Sequence, residues 1–135
     1  MPMEERRVKR YLEKISLISK REGQIEGWLG EERDEKTVLA IYKAFQESVE
    51  ASLDLVAMIC RDKGIPPEDD YTNIERVIEA KRRKDSLIRA NGLRNRIVHL
   101  YNRIDEELAM MGIEELLGEI DGFSGWVEKW VKKSA

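Results

Sequence analysis

The sequence predicts an all-α protein, an up-and-down bundle of four to five helices that spans residues 1–135 as a single domain. Three observations carry that expectation. Apolar residues recur at spacings of three and four, β-branched residues nowhere alternate with polar ones, and proline is confined to positions 2, 66 and 67. A chain of 135 residues can bury roughly two thirds of its unfolded surface, enough for a substantial core.

The first helix is expected from about Glu4 to Leu29, with Val8, Tyr11, Leu12, Ile15, Ile18, Ile25 and Trp28 on its apolar face. "GEERDEKT" turns the chain into a second helix, roughly Glu35 to Lys63, whose charged residues Lys43, Glu47, Glu50, Asp54 and Arg61 follow one narrow stripe. Val38, Ile41, Phe45, Val49, Leu53 and Val56 can face the core, while Leu39, Ser48, Ser52, Leu55 and Ile59 broaden the buried arc. A helix so widely apolar needs cover on more than one side, either as the central helix of its own bundle or against a second subunit.

Gly64 and "IPPEDD" stop that helix. Glu68, Asp69 and Asp70 lack the alternating ligands of a calcium loop and read as solvated loop. Thr72 to Glu75, "TNIE", reads as a capping box that starts a short third helix through about Ala80. A fourth helix is expected to start near Asp85 or Ser86 and to carry Leu87, Ile88, Ala90, Leu93, Ile97 and Val98. The last, from about Ile113 to Lys132, places Phe123, Trp126, Val127, Trp130 and Val131 on its apolar face. Gly118, Gly122 and Gly125 fall within about 60° of one another on that helix, which would suit close approach by another.

Composition narrows the function. No apolar run approaches the roughly 18 residues of a membrane span, and "MPMEERRVKR" lacks the apolar segment of a secretory signal, so a cytoplasmic protein with no membrane partner is expected. Cys60 is the sole cysteine and sits in the apolar "LDLVAMIC". Neither an intramolecular disulfide nor a Cys/His metal cluster can be assembled, and no metal or cofactor is expected. The formal charge of −3 gives no overall attraction to nucleic acid. The charge is uneven, however: residues 81 to 103 carry Lys81, Arg82, Arg83, Lys84, Arg89, Arg94, Arg96 and Arg103 against only Asp85. Such a run is either a solvated helix face or a surface for a phosphate-bearing partner.

Inside that segment lies "RNRIVHLY", which holds the only histidine, His99. An imidazole titrates near neutral pH and suits proton transfer, and the arginines beside it offer forked donors for phosphate oxygens. Together they can cleave RNA without a metal. His99 would take the proton of a ribose 2′-hydroxyl or give one to the leaving 5′-oxygen, while Arg94 stabilises charge on the pentacoordinate phosphorus. Asn95 would support them, and Arg96, Arg89 and Arg83 are candidate phosphate contacts. On an undistorted helix Asn95 and His99 lie about 40° apart and Arg94 and Tyr101 about 20°, but Arg94 and His99 about 140°. One straight helix therefore aims the two proposed catalytic groups apart. Two copies meeting across a dyad could line one cleft with both, and a local break after Gly92 could also turn Arg94.

Arg94, four intervening residues, His99, one residue and Tyr101, following a basic helix in an all-α chain of this length, resemble the Arg-x4–6-His motif of the HEPN superfamily. The fuller Arg-Asn-x-x-x-His-x-Tyr form is most similar to its HepT-like toxins. The resemblance implies a HEPN-like fold and a metal-independent endoribonuclease toxin of a type VII-like toxin–antitoxin system, active as a homodimer with its cleft between the motif helices. It places the catalytic pair at Arg94 and His99 and the intervening polar residue at Asn95. It also implies a MntA-like nucleotidyltransferase antitoxin that transfers AMP from ATP to Tyr101. A noncatalytic helical subunit, binding substrate for a nucleotidyltransferase or serving dimerisation, is the competing expectation.

Overall fold

The computed structural model describes residues 3–134, and these form five helices: α1 Glu5–Leu29, α2 Glu35–Asp62, α3 Asp70–Val77, α4 Lys81–Leu100 and α5 Glu106–Ser134. Cross-helix pairs give the topology. Arg21 meets Glu47 and Lys14 meets Asp54, so α1 and α2 are antiparallel. Tyr11 packs edge-on against Trp130, while Arg94 reaches Glu50 and Arg82 reaches Glu119. The long helices therefore run alternately up and down, with short α3 inserted between α2 and α4.

Three of the starts are set by aspartate caps, as orphan amide groups require. Asp34 accepts from the Thr37 amide at 2.8 Å to open α2. Asp69 does the same for Thr72 at 2.8 Å, so α3 begins at Asp70 and not at Thr72. The expected capping box is displaced because the aspartate three residues earlier takes the same amide, and Thr72 Oγ1 donates back to it at 2.9 Å. Asp105 likewise accepts from the Leu108 amide at 3.1 Å, starting α5 at Glu106, well before the expected Ile113. Gly64, at φ +75°, ends α2, and the Ile65 amide after it donates back to the Cys60 carbonyl at 2.8 Å.

Helix α2 is the centre of the bundle and packs against each of the other four. Ile41, Phe45, Val49, Val56 and Ile59 are fully buried, as are Ser48, Ser52 and Leu55 on the broadened arc. Its own chain supplies the cover that the apolar breadth demands, so that breadth gives no argument for a second subunit. Leu39 is the exception: expected in the buried arc, it is 44% exposed. The expected glycine stripe is also not a packing face within the chain. A Cβ at Gly118 or Gly125 would meet nothing, whereas one at Gly112 would sit 2.9 Å from Leu93 Cδ2. The close approach of α4 and α5 is made at Gly112.

The acidic loop is used by the protein itself. Asp69 is the α3 cap, Glu68 pairs with Arg76 at 2.5 Å, and Asp70 turns toward α4. Cys60 is buried, as expected of a small core residue, and burial pushes its thiol up. Among the described residues one buried position is acidic: Glu22, on α1, has an unpartnered buried Oε1. Burial, then the neighbouring Asp121 and Glu26, raise its carboxyl to about 8.

Candidate active site on helix α4

Helix α4 starts at Lys81, four residues before the expected Asp85. Its first turn is basic and its Ala80 cap offers no side-chain acceptor, both unfavourable to an isolated helix N-terminus. Tertiary contacts with acidic neighbours offset this. Arg82 donates to Glu119 at 2.7 Å and Lys84 lies 3.3 Å from Glu75. Arg89 reaches Glu115 at 2.5 Å, and Arg83 lies over the Trp126 ring, 5.6 Å from its centroid. Hydrogen bonding from Arg82 holds the Glu119 carboxyl below its usual value. The basic run is thus largely matched by α5 and α3.

The helix continues unbroken through Gly92 to Leu100, so no kink turns Arg94 outward. Arg94 faces α2 and α3. Its side chain is 17% exposed, with Nη2 2.9 Å from Asn91 Oδ1 and 3.5 Å from Asp70 Oδ2, and Nη1 3.4 Å from Glu50 Oε2. Its Nε is buried and unpaired. Glu50, Asp70 and Asn91 went unrecognised as partners in the sequence. Asn91 stands one helical turn before Arg94, a legible spacing, but Glu50 and Asp70 are joined to it only by the fold.

Asn95, Arg96 and His99 are all exposed on the outer side of α4. Arg96 precedes His99 by three residues and so shares its side of the helix. Arg94 does not. By their positions on the helix, His99, Asn95 and Arg96 share one side of α4, and Arg94 leaves it in another direction. Arg83 lies further still, sixteen residues or about 24 Å of helix from His99.

Two open clefts flank the end of α4. One, of about 450 Å³, is lined by Arg96, Arg103, Leu100 and Leu108 among others. The other, of about 400 Å³, is lined by Tyr101, Asn102 and Ile104 from the α4–α5 turn, Glu35, Val38, Leu39 and Tyr42 from α2, and Glu106. Tyr101 is 58% exposed. Burial, then Glu106 and Asp105, push the Tyr42 phenol up. Exposed apolar side chains surround this end of the bundle: Leu39, Val98, Leu100, Leu108 and Met111. Among the described residues no three His, Cys, Asp or Glu side chains are grouped to hold a metal ion, and no helix is long and apolar enough to cross a membrane.

Residues 8–125 match the model of the family described as ribonuclease HepT-like. The chain belongs to the HepT-like family. A relative in sequence, a candidate RNase of Archaeoglobus fulgidus, is 36% identical over 134 residues, covering 94% of this chain and 97% of that one. The HepT-like fold is matched by two solved chains, each with a TM-score of 0.80. One belongs to a toxin-antitoxin with AMP-PNP, at 18% identity over 93% of this chain and 99% of that chain. The other belongs to a tri-AMPylated HEPN toxin of Shewanella oneidensis in complex with MNT antitoxin, at 20% identity over 95% and 99%. The all-α HEPN fold and the HepT-like family expected from "RNRIVHLY" and its setting are therefore those of this chain.

Proposed function

We propose that this HepT-like protein is the endoribonuclease toxin of a toxin–antitoxin pair, acting on cytoplasmic RNA without a metal ion. The observation that carries the reading is His99: the single imidazole of the chain stands exposed at the end of α4, with Arg96 and Asn95 on the same side. His99 removes the proton of a ribose 2′-hydroxyl, the 2′-oxygen attacks phosphorus, and the bond to the 5′-oxygen breaks. The products are a 2′,3′-cyclic phosphate and a 5′-hydroxyl, whose proton comes from an imidazolium. Two histidines from two chains can divide these roles.

A homodimer is part of this proposal because Arg94 and His99 leave a single straight helix in different directions. Its surface is the end of the bundle near the motif, where Val98, Leu100, Leu108 and Met111 are exposed. In this cleft Arg94, held by Glu50, Asp70 and Asn91, presents a fixed charge to the reacting phosphate, and Arg96 contacts phosphate beside it. Silencing would come from an MntA-like nucleotidyltransferase antitoxin that joins AMP to the exposed Tyr101, adding a phosphodiester charge and bulk beside the arginines.

The noncatalytic reading has one observation in its favour, the engagement of Arg94 by the protein's own carboxylates. Incubating the purified, verified dimer with structured and single-stranded RNA in the presence of chelator separates the two. Cleavage at chelator concentrations above any contaminating metal is expected. Intact RNA at several protein concentrations would leave the binding subunit.

A further inference from the structure

The cleft beside Tyr101 has a chemistry that phosphate does not explain. Its walls are the Tyr101 and Tyr42 side chains with Val38, Leu39 and Ile104, and its rim carries Glu35, Glu106 and Asn102. Among the described residues no lysine or arginine lines it. The cleft on the other flank of the same turn carries Arg96 and Arg103. The two sides of the motif are therefore sorted by chemistry, cationic on one and aromatic with carboxylates on the other.

We propose that the Tyr101 cleft seats a nucleobase bearing an exocyclic amino group, while the phosphate of the same nucleotide lies toward the arginines. Carboxylates at the rim repel phosphate and accept hydrogen bonds from amino groups, and an asparagine amide can pair with the donor–acceptor edge of adenine. The exposed Tyr101 ring gives stacking area to any base. Uracil has carbonyl oxygens where adenine, cytosine and guanine carry their amino groups, so it meets the carboxylates less well. A volume of about 400 Å³ is of small-molecule size, within the roughly 300–1,000 Å³ of such sites. Leu39, exposed on a helix otherwise well covered, gains a role as one wall.

This inference rests on the ribonuclease reading for its biological occupant, which has two possible sources: a base of the RNA next to the cleaved bond, or the adenine joined to Tyr101 on modification. Binding itself can be tested without cleavage. Adenosine, cytidine, guanosine, uridine and ribose 5-phosphate are titrated separately into the unmodified full-length protein, followed by backbone amide NMR. The expected result is saturable shifts at Leu39, Tyr42, Ile104 and Asn102 with the three amino-bearing nucleosides, weaker with uridine. Leu39→Ala should weaken binding several-fold, and Leu12→Ala, on an exposed site of α1, should not. No shift with any nucleoside, or equal shifts with ribose 5-phosphate, would overturn the proposal even if RNA is cleaved.

Two further arms assign the source. An RNA with an abasic site beside the cleaved bond should show a KM raised about tenfold with kcat nearly unchanged if the RNA base occupies the cleft. Protein adenylylated at Tyr101 should no longer respond to free adenosine if its own adenine fills the cleft. An unchanged KM together with undiminished adenosine binding to the modified protein would remove both occupants and the proposal with them. Nucleoside binding by a protein that cleaves no RNA would keep the base site and discard the ribonuclease reading alone.

Discussion

The two halves of α4 are both basic in sequence and have opposite fates in structure. From Lys81 to Arg89 four of the five cations are matched: Arg82 by Glu119, Lys84 by Glu75, Arg89 by Glu115, and Arg83 by the face of Trp126. From Asn95 to Tyr101 the polar side chains stand exposed. Arg94 marks the border, basic like the first half and placed next to the motif, yet held by Glu50 and Asp70. Density of positive charge along the sequence is therefore a poor guide to where phosphate can bind. What matters is how many of those charges the fold leaves without carboxylates.

The strongest way to break this contrast is His99→Ala. It should lower RNA cleavage by about 10²-fold or more, the usual contribution of a positioned acid/base group, with circular dichroism and melting unchanged because the side chain is exposed. Arg82→Ala and Arg89→Ala, in the matched half, should leave cleavage within a few-fold. If His99→Ala and Arg89→Ala have equal effects, the exposed half has no privileged role and the acid/base assignment fails.

Arg94→Lys comes next. A lysine keeps the charge but loses the planar fork that reaches Asn91, Glu50 and Asp70 together. Cleavage should fall roughly 10- to 100-fold, near the range of lost transition-state donors, while light scattering still reports the wild-type oligomer. Full activity in Arg94→Lys would mean that only charge is needed there, and the border residue would belong with the matched half. The control variant Tyr101→Phe should keep most cleavage and escape silencing by a nucleotidyltransferase supplied with ATP and magnesium. Intact-mass measurement checks it: an AMP gain on the Phe variant equal to wild type moves the modification elsewhere.

Much of the bundle is legible in the sequence because helical periodicity is a local property. Helices α1 and α2 lie within a residue of their expected bounds. The starts of α3, α4 and α5 are less legible, for distinct reasons. Asp69 competes with Thr72 as cap, Gly112 interrupts the pattern of α5 where α4 crosses it, and the basic first turn of α4 is tolerated only beside Glu119 and Glu75. The candidate site divides the same way. Arg94, His99 and Tyr101 are visible as a spacing, and their angular separation follows from helix geometry. Which arginines are matched, why Leu39 is exposed, and that Tyr42 shares a cleft with Tyr101 depend on contacts across helices, which no local pattern contains.

A smaller effect sharpens the contrast among arginines. Arg96 shares the exposed side with His99, and Arg89 is bound to Glu115. Arg96→Ala should raise KM for RNA several-fold and reduce the slope of log affinity against log salt by about one, as expected for one lost phosphate contact. Arg89→Ala should change neither. Equal slopes for the two variants would mean that the Glu115 pair opens to admit RNA.

The smallest expected effect is on stability in the matched half. Arg82 donates to Glu119 from Nε at 3.0 Å and from Nη2 at 2.7 Å, but the pair is largely in water, and solvent screening keeps such a bridge to about 1 kcal/mol or less. Arg82→Ala should therefore lower the melting midpoint at pH 7 by no more than about 2–4 °C. The pH dependence has a definite sign. The Glu119 carboxyl is held below its unfolded value, first by the hydrogen bond from Arg82, so the folded state prefers the ionised form. The stabilisation is present above the unfolded carboxylate value near 4.5 and is lost as pH falls through the lower folded value. Wild type and Arg82→Ala should differ at neutral pH and converge in acid. A gap that persists in strong acid, once the Glu119 carboxyl is protonated, would mean that Arg82 acts through the packing of its aliphatic stem on α5, and that the matched half of α4 is held by contact area rather than by charge.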